Sequence, residues 1–185
     1  MNNQRALFII GVVIAVLVAL PVGWYLISPL FINRAVDEAL PAAEATQAME
    51  EAMAESTQAV DEAMPPGDMA AMQILAQGEF YNIAHEGRGK ATIYQLPDGS
   101  RILRFEGFEV LNGPDLHVYL ASGNPVPDTV GVELAGSVDL GKLKGNIGNQ
   151  NYELPADLDL SQFQSVVIWC QPFRVPFAAA PLTTP

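Results

Sequence analysis

Residues 165–170 read SVVIWC, a short run of β-branched and aromatic side chains that ends in Cys170, the only cysteine of the chain. This composition is typical of a β-strand that is buried on both faces. Side chains along a strand alternate between its two faces. We therefore expect Val166 and Ile168 to share the face of Cys170, and Trp169 to lie on the opposite face. The sulfur of the cysteine should be largely shielded from solvent.

The chain from about residue 73 onward contains further runs of this kind, separated by turn residues. Short strands at such spacing are typical of an all-β sandwich or barrel, and about 110 residues are enough for one core. The pattern predicts strands near residues 74–84, 90–96, 101–110, 115–121, 134–140, 165–170 and 173–178. We therefore predict an antiparallel β-sandwich of immunoglobulin-like type.

Local signals add detail to these strands. The sequence PDGS at residues 97–100 predicts a hairpin turn. Phe105 and Phe108 break the strict alternation around Gly107, which predicts a β-bulge there. The glycine-rich run at 141–148 lacks the signature of a phosphate-binding loop and is predicted to be an ordinary loop.

The N-terminal part of the chain predicts a membrane anchor. Residues 6–33 contain no charged side chain. A membrane span needs about 20 apolar residues, whereas the apolar core of a cleaved signal is only about 7–15 residues long. We therefore predict an uncleaved signal anchor that contacts the membrane through residues 6–32. Arg5 precedes the span, so we expect a single-pass protein of the cell membrane whose C-terminal domain is extracytoplasmic. A cleaved signal, with a site near residues 42–45, is the alternative.

An acidic segment rich in Ala, Glu and Met follows the anchor. Residues 35–76 hold nine Asp or Glu and no Lys or Arg. This predicts a tether, helical or disordered, that would span about 60 Å as a helix or about 35–40 Å as a coil. The predicted plan is thus an anchor at 1–33, a tether at 34–72 and a sandwich domain at 73–185. Its five methionines suit copper, but Met is also a helix former and no Cys or His lies nearby, so no metal site is predicted.

Composition and motifs exclude several classes of function. The net charge of −12 is opposite to the basic surface that nucleic acids require, so we expect no nucleic-acid partner. Two histidines and one cysteine do not make a four-ligand zinc site by spacing. The absence of a Cys-x-x-Cys-His motif excludes covalent c-type haem. No acid–base or nucleophile constellation is present, so we expect no independent catalytic activity.

Three ordered motifs carry a family resemblance. They are GFEVLNGPDLHVYL at 107–120, LKGNIGNQNYELP at 143–155 and VVIWCQPFRVPF at 166–177. Together they resemble the electron-transfer DM-thirteen domain family over about residues 73–182. The resemblance implies a β-sandwich domain of secreted or membrane-anchored proteins, found beside DOMON domains in animals and alone in bacteria. Ala178 stands where the family pattern usually has a glycine.

The resemblance also implies a redox or haem-interacting role for Cys170. A thiolate can ligate haem iron, and a thiol can instead cycle through sulfenic acid or a mixed disulfide. Trp169, His117 and Tyr119 are further candidate cofactor-binding residues, because the alternation within 116–120 turns the last two toward a surface where a partner can dock. Haem stays open as a cofactor, and none is required by the sequence.

Two functions from different classes follow. The first is a membrane-anchored electron-transfer module that acts through Cys170, with a redox protein or another envelope protein as its partner. Arg174, four residues further on, would favour the thiolate if it lay near the sulfur. The second is a non-catalytic binding or adhesion module in which the cysteine is only a core residue.

Overall fold

The computed structural model describes residues 2–28, 32–41, 72–131 and 134–185. These residues form one helix, ten strands and a short 3-10 helix, Leu160–Gln162. The elements are α1 (Asn2–Ile27), β1 (Ala35–Asp37), β2 (Gln73–Glu79), β3 (Tyr81–Asn82), β4 (Gly87–Gln95), β5 (Arg101–Val110), β6 (Leu116–Ala121), β7 (Val138–Lys142), β8 (Ile147–Leu154), β9 (Ser165–Cys170) and β10 (Val175–Pro181).

The strands form two five-stranded sheets. The first has the order β1-β8-β5-β4-β2 and the second the order β3-β10-β9-β6-β7. The β1–β8 pair is parallel, and every other pairing between the described strands is antiparallel. The prediction of an all-β sandwich preceded by one apolar helix is confirmed.

Aromatic rings fill the centre of the core. The rings of Phe80, Phe105 and Phe108 lie 4.9–5.0 Å apart, centroid to centroid. Such contacts add about 0.5–1.5 kcal/mol per pair beyond the burial of apolar area. Phe105 and Phe108 can both face this core because the register between β5 and β8 shifts between them, at Gly107. The predicted bulge is therefore confirmed.

Other strand predictions need correction. The strand predicted at 74–84 divides at Phe80 into β2 and β3, which belong to different sheets. The strand predicted at 134–140 is Val138–Lys142, and that predicted at 173–178 is Val175–Pro181. Strand β8 was not predicted, although it lies between β1 and β5. Its first half contains Gly148 and Asn149, which are poor strand formers.

Strand β1 lies inside the segment that the sequence predicts to be a tether. It pairs with β8, with Ala35 opposite Ile147 and Asp37 opposite Asn149. Gly148 makes this approach possible, since a Cβ built there would lie 2.0 Å from the carbonyl oxygen of Val36. The glycine-rich run therefore has a structural purpose: it makes room for a chain that docks on the sheet edge.

A partly exposed ion pair at the edge of the sheet also holds this segment in place. Both carboxylate oxygens of Glu38 accept hydrogen bonds from Lys144 Nζ, at 2.8 and 2.9 Å. One of them also accepts the backbone N–H of Asn151 at 2.8 Å. Burial alone would raise the pKa of Glu38, but these hydrogen bonds and the Lys144 charge outweigh burial and hold the pKa below its ordinary value.

The rest of the predicted tether, residues 42–71, lies outside the described residues, so its helical or disordered character stays a prediction. Its two flanks are described. The chain up to Pro41 runs parallel to β8, toward the end of the sheet where Leu154 pairs with Arg101. Strand β2 begins at that same end, because Gln73 pairs with Gln95 and Gln95 with Arg101. The first residues of the predicted tether, 35–38, thus dock on the sandwich, and for residues 42–71 the tether stays a prediction.

Helix α1 has the character of a membrane span. The stretch Leu7–Trp24 has a mean hydropathy of 2.7 and only apolar or uncharged residues. It is long and apolar enough to cross a membrane, and a signal sequence near an N-terminus has the same character.

Candidate functional site

Cys170 ends β9 inside the sandwich. It lies between Leu116 of β6 and Val175 of β10, and its side chain is completely buried. Val166 and Ile168 belong to the same core cluster between the sheets. The alternation predicted from the sequence is therefore confirmed on this face.

The opposite face of β9 is also covered. Val167 packs with Ala121, Ala179 and Val126, the last of which lies in the long connection between β6 and β7. This second cover explains why all six residues of the strand are buried. It also explains the uninterrupted apolar run that the sequence shows.

The sulfur of Cys170 contacts two turns. Its Sγ donates to the carbonyl oxygen of Pro114 at 3.3 Å. Burial raises the pKa of the thiol, and the nearby Asp115 carboxylate raises it further, although the backbone N–H of Phe173 acts against both. The group is therefore a protonated thiol at neutral pH. Arg174 does not lower this pKa, and its side chain lines a cavity on the other face of β9.

The two turns that cover the sulfur have an unusual backbone. One is the 111–115 connection and the other is the 171–174 turn, and the N–H of Gln171 joins them by donating to the carbonyl oxygen of Asp115 at 3.2 Å. Asp115 and Arg174 have φ of +55° and +50°, and no other non-glycine residue in the described part of the chain has a positive φ. Left-handed backbone at non-glycine residues is uncommon and tends to occur at functional sites.

The other three predicted site residues lie on the outer face of the same sheet. His117 pairs with Trp169 and Tyr119 with Val167 in the β6–β9 register. The ring centroids lie 6.4 Å apart for His117 and Tyr119 and 6.5 Å apart for Tyr119 and Trp169. We call these three residues the outer aromatic row. The structure brings the row together and separates it from Cys170 by the thickness of the sheet.

Hydrogen bonds tie the row to two aspartates that the sequence did not single out. His117 Nδ1 lies 2.9 Å from Asp139 Oδ2, and the Tyr119 hydroxyl donates to the same oxygen at 3.1 Å. On the other side, His117 Nε2 lies 3.5 Å from Asp115, which Lys142 Nζ approaches to 2.6 Å. The hydrogen bond from Lys142 is the main reason that the pKa of Asp115 is below its ordinary value.

The outer aromatic row borders a small cavity. It has a volume of about 410 Å³ and is lined by Tyr119, Trp169, Gln171 and Arg174 together with Leu134, Gly136 and Ser137. Gln171 donates to the Tyr119 hydroxyl. Aromatic surfaces beside an amide and a guanidinium are the groups that orient a small polar ligand or a peptide side chain.

Cys170 is not placed to ligate a haem iron, and the described residues hold no ready-made metal cluster. No group of three His, Cys, Asp or Glu side chains within them is placed to hold a metal ion. A haem iron needs an axial ligand that reaches an open pocket. The Cys170 sulfur instead has no exposed surface and is enclosed by the 111–115 and 171–174 turns.

Comparison with known proteins gives one family. The family model described as Electron transfer DM13 matches residues 79–182. This range contains Cys170 and the whole outer aromatic row, and it leaves out α1 and β1. No curated protein and no solved structure matches the chain.

Proposed function

The chain belongs to the electron transfer DM13 family, and from that premise we propose that it is a membrane-anchored extracytoplasmic domain with Cys170 as its redox-active group. The observation that supports this role is the enclosure of the thiol by two turns with left-handed residues, Asp115 and Arg174. These turns meet through a single backbone hydrogen bond, from Gln171 to Asp115. A local movement of the 171–174 turn exposes the sulfur without unfolding the sheets.

The chemistry open to this thiol is exchange with a partner disulfide. The thiol first loses its proton to solvent. Its sulfur then forms a bond with one partner sulfur, while the S–S bond of the partner breaks and its second sulfur leaves as a thiolate. A thiolate of the electron donor then attacks the partner sulfur of the mixed disulfide: a donor–partner S–S bond forms, the bond to Cys170 breaks and Cys170 leaves as a thiolate that takes up a proton. The attacking thiol has to come from the donor because the chain has no second cysteine. The raised pKa of Cys170 keeps the group inert until the turn opens.

The test compares labelling of the thiol with global unfolding. Full-length protein is treated with a small disulfide reagent, and adducts are followed by mass, with Cys170→Ala as the blank. We expect labelling to be faster than unfolding followed by circular dichroism. Pro172→Gly, which loosens the 171–174 turn, should accelerate labelling. Pro127→Gly, in another exposed loop, should leave its rate unchanged.

A second candidate function is a binding module in which Cys170 is only a core residue. Two observations favour it: the thiol is completely buried, and the cavity beside Tyr119 and Trp169 lies on the accessible face of the sheet. Labelling that occurs only at the rate of global unfolding, and that Pro172→Gly does not accelerate, would exclude the redox role and support this one.

The proposed position of the sandwich domain outside the cytoplasm is tested separately. Protease added to intact spheroplasts is expected to remove the sandwich domain, since the uncharged α1 stretch is proposed to stay in the membrane with the domain outside. Full protection of the domain until the membrane is lysed would rule out this topology.

A further inference from the structure

The sandwich has one end to which α1 is connected, and we call it the anchor-side end. It comprises residues 32–34, the 111–115 connection and the 171–174 turn. The side-chain oxygen of Asn33 accepts hydrogen bonds from Asn112 and Asn146, at 2.8 and 3.1 Å. The backbone N–H of Arg34 donates to Asn146 at 2.7 Å. Residues 33 and 34, which follow α1 in the chain, are therefore hydrogen-bonded to this end of the sandwich.

The connection between the helix and this end is short. Helix α1 ends at Ile27 and β1 begins at Ala35, so eight residue steps reach about 26–29 Å even when fully extended. The N–H of Ile32 donates to the carbonyl oxygen of Ser28 at 3.1 Å, which shortens the reach further. If α1 spans a bilayer, the anchor-side end has to lie close to its surface.

Exposed apolar side chains gather at the same end. Outside α1, the large hydrophobic residues that the described structure exposes are Ile32 (57%), Ile74 (37%), Leu111 (57%), Val130 (65%) and Phe173 (61%). Leu111 and Phe173 lie in the two turns of the anchor-side end, and Ile32 lies at its entry. Val130 joins them, because the N–H of the next residue, Gly131, donates to the carbonyl oxygen of Arg174 at 2.8 Å. Only Ile74 lies at the opposite end, where it pairs with Tyr94.

We propose that the anchor-side end rests on the bilayer that holds α1, with Phe173, Leu111 and Val130 inserted into the interfacial region. This inference rests on the membrane anchoring in the proposed function. Apolar side chains grouped at one place on a surface mark an interaction site, and shallow insertion of aromatic and aliphatic side chains is how proteins lie on a membrane. We identify lipid as the apolar partner because the short covalent link to α1 holds this end beside the bilayer that α1 spans.

The charges at this end show which force carries the contact. The exposed charges at and beside this end are of both signs: four bases, Arg34, Arg88, Lys142 and Arg174, and four acids, Glu86, Glu109, Asp115 and Asp139. Arg88 pairs with Glu109 and Lys142 with Asp115. Such a mixed surface is not drawn specifically to anionic headgroups. The contact should therefore form on zwitterionic lipid and should not depend on salt.

The experiment uses full-length protein reconstituted in phosphatidylcholine vesicles, with or without bromine on the acyl chains near the headgroup. Trp24 in the parent reports insertion of α1. In a Trp24→Phe background, Phe173→Trp and Leu111→Trp place a probe at the anchor-side end, and Ile74→Trp is the matched control at the other end. Trp169 is buried in all of them and gives a constant background.

We expect brominated lipid to reduce the emission of Phe173→Trp and Leu111→Trp and to leave Ile74→Trp unchanged. Quenching of Trp24 in the parent without quenching of either anchor-side probe would overturn the inference and leave the anchoring intact. Equal quenching at Ile74→Trp and the anchor-side positions would also overturn it. Absence of quenching at Trp24 would overturn the anchoring itself, and the inference with it.

Discussion

The environment of Cys170 decides how its chemistry can be used. Trp169, its neighbour in β9, turns to the outer face, while the sulfur turns into the core and meets Pro114. The alternation along the strand was predictable from the sequence, because a period of two is a local property. The contact with Pro114 was not, since it depends on the pairing of β9 with β6, about fifty residues away in the chain.

Cys170→Ser is expected to keep the fold and lower the free energy of unfolding by about 1–3 kcal/mol. The C–O bond is shorter than the C–S bond, so the buried hydroxyl lies farther from the carbonyl oxygen of Pro114 than the sulfur does and is left poorly paired. Denaturant unfolding monitored by circular dichroism measures this loss. Cys170→Ala is the control, since it removes the same packing volume without burying a hydroxyl. A serine variant as stable as the parent would mean that the hydroxyl finds a full hydrogen-bond partner at this site, either water or the carbonyl oxygen of Pro114.

Strand β1 shows what local patterns cannot reveal. Its three residues have no sequence pattern that predicts a strand. They pair with the edge of the sheet because Gly145 and Gly148 lack the Cβ atoms that would block their approach. A Cβ at Gly145 would lie 2.5 Å from the carbonyl oxygen of Arg34. The partner strand β8 was missed for a related reason: it is rich in Asn and Gly, and its buried Gln150 bonds to the backbone of Gly145. Pairing with its neighbours, rather than propensity, makes it a strand.

Gly148→Ala is expected to displace β1 from the sheet edge, because the added Cβ would meet the backbone of Val36. Gly141→Ala is the matched control, since both glycines have φ of +106° but nothing lies within 4 Å of a Cβ at Gly141. Both variants should lose about 1 kcal/mol or more to the disfavoured backbone. Only Gly148→Ala should increase hydrogen exchange or proteolysis in residues 33–40. Equal exposure of that segment in the two variants would contradict this role of Gly148.

The Glu38–Lys144 pair should make the docking of this segment dependent on pH. The pKa of Glu38 is lower in the folded protein than in the unfolded chain. The Glu38 carboxylate therefore stabilises the folded protein fully at pH values above the ordinary Glu pKa of about 4.3. This stabilisation is lost as the pH falls through the lower pKa of the folded state. The pair is partly exposed, so the effect should be about 1 kcal/mol.

Glu38→Gln tests this contribution, because it keeps the shape of the side chain and removes its charge. At neutral pH we expect the variant to unfold at a lower temperature than the parent. The difference should shrink as the pH is lowered below about 4, where the parent also loses the charge. A difference that stays constant over this range would assign the effect to shape rather than to the carboxylate.

At the scale of the whole molecule, elements that are far apart in the sequence belong to one sheet: β1 precedes the acidic segment 42–71 and β2 follows it, and both are edge strands of the first sheet. The acidic composition of residues 35–76 predicts a spacer, because nothing in it shows that its first residues dock on the sandwich. The docked segment instead brings the sandwich to within a short reach of α1. If the anchor-side end rests on the bilayer as proposed, the turns that enclose Cys170 face the membrane. The proposed redox partner of this thiol would then itself be bound to the membrane or dissolved in it.

Deleting residues 42–64 tests this arrangement of the whole chain. Strands β1 and β2 are the two edges of one five-stranded sheet, so four spacings of about 4.8 Å, or about 19 Å, separate them. The residues that remain between Pro41 and Met72 provide eight steps and reach about 26–29 Å. We therefore expect the variant to keep a cooperative unfolding transition.

The same deletion distinguishes a loop from a spacer. A loop that begins and ends on the sandwich, at the end opposite the anchor, has no influence on how far the domain stands from the bilayer. In vesicles with brominated lipid, the emission of Phe173→Trp should therefore be the same with and without residues 42–64. A deletion that increases quenching would show that the segment holds the domain away from the membrane, because only a spacer brings the domain closer when it is shortened. In the docked arrangement, Gly148→Ala should instead weaken the quenching in the otherwise intact chain, because release of β1 lengthens the link between α1 and the sandwich.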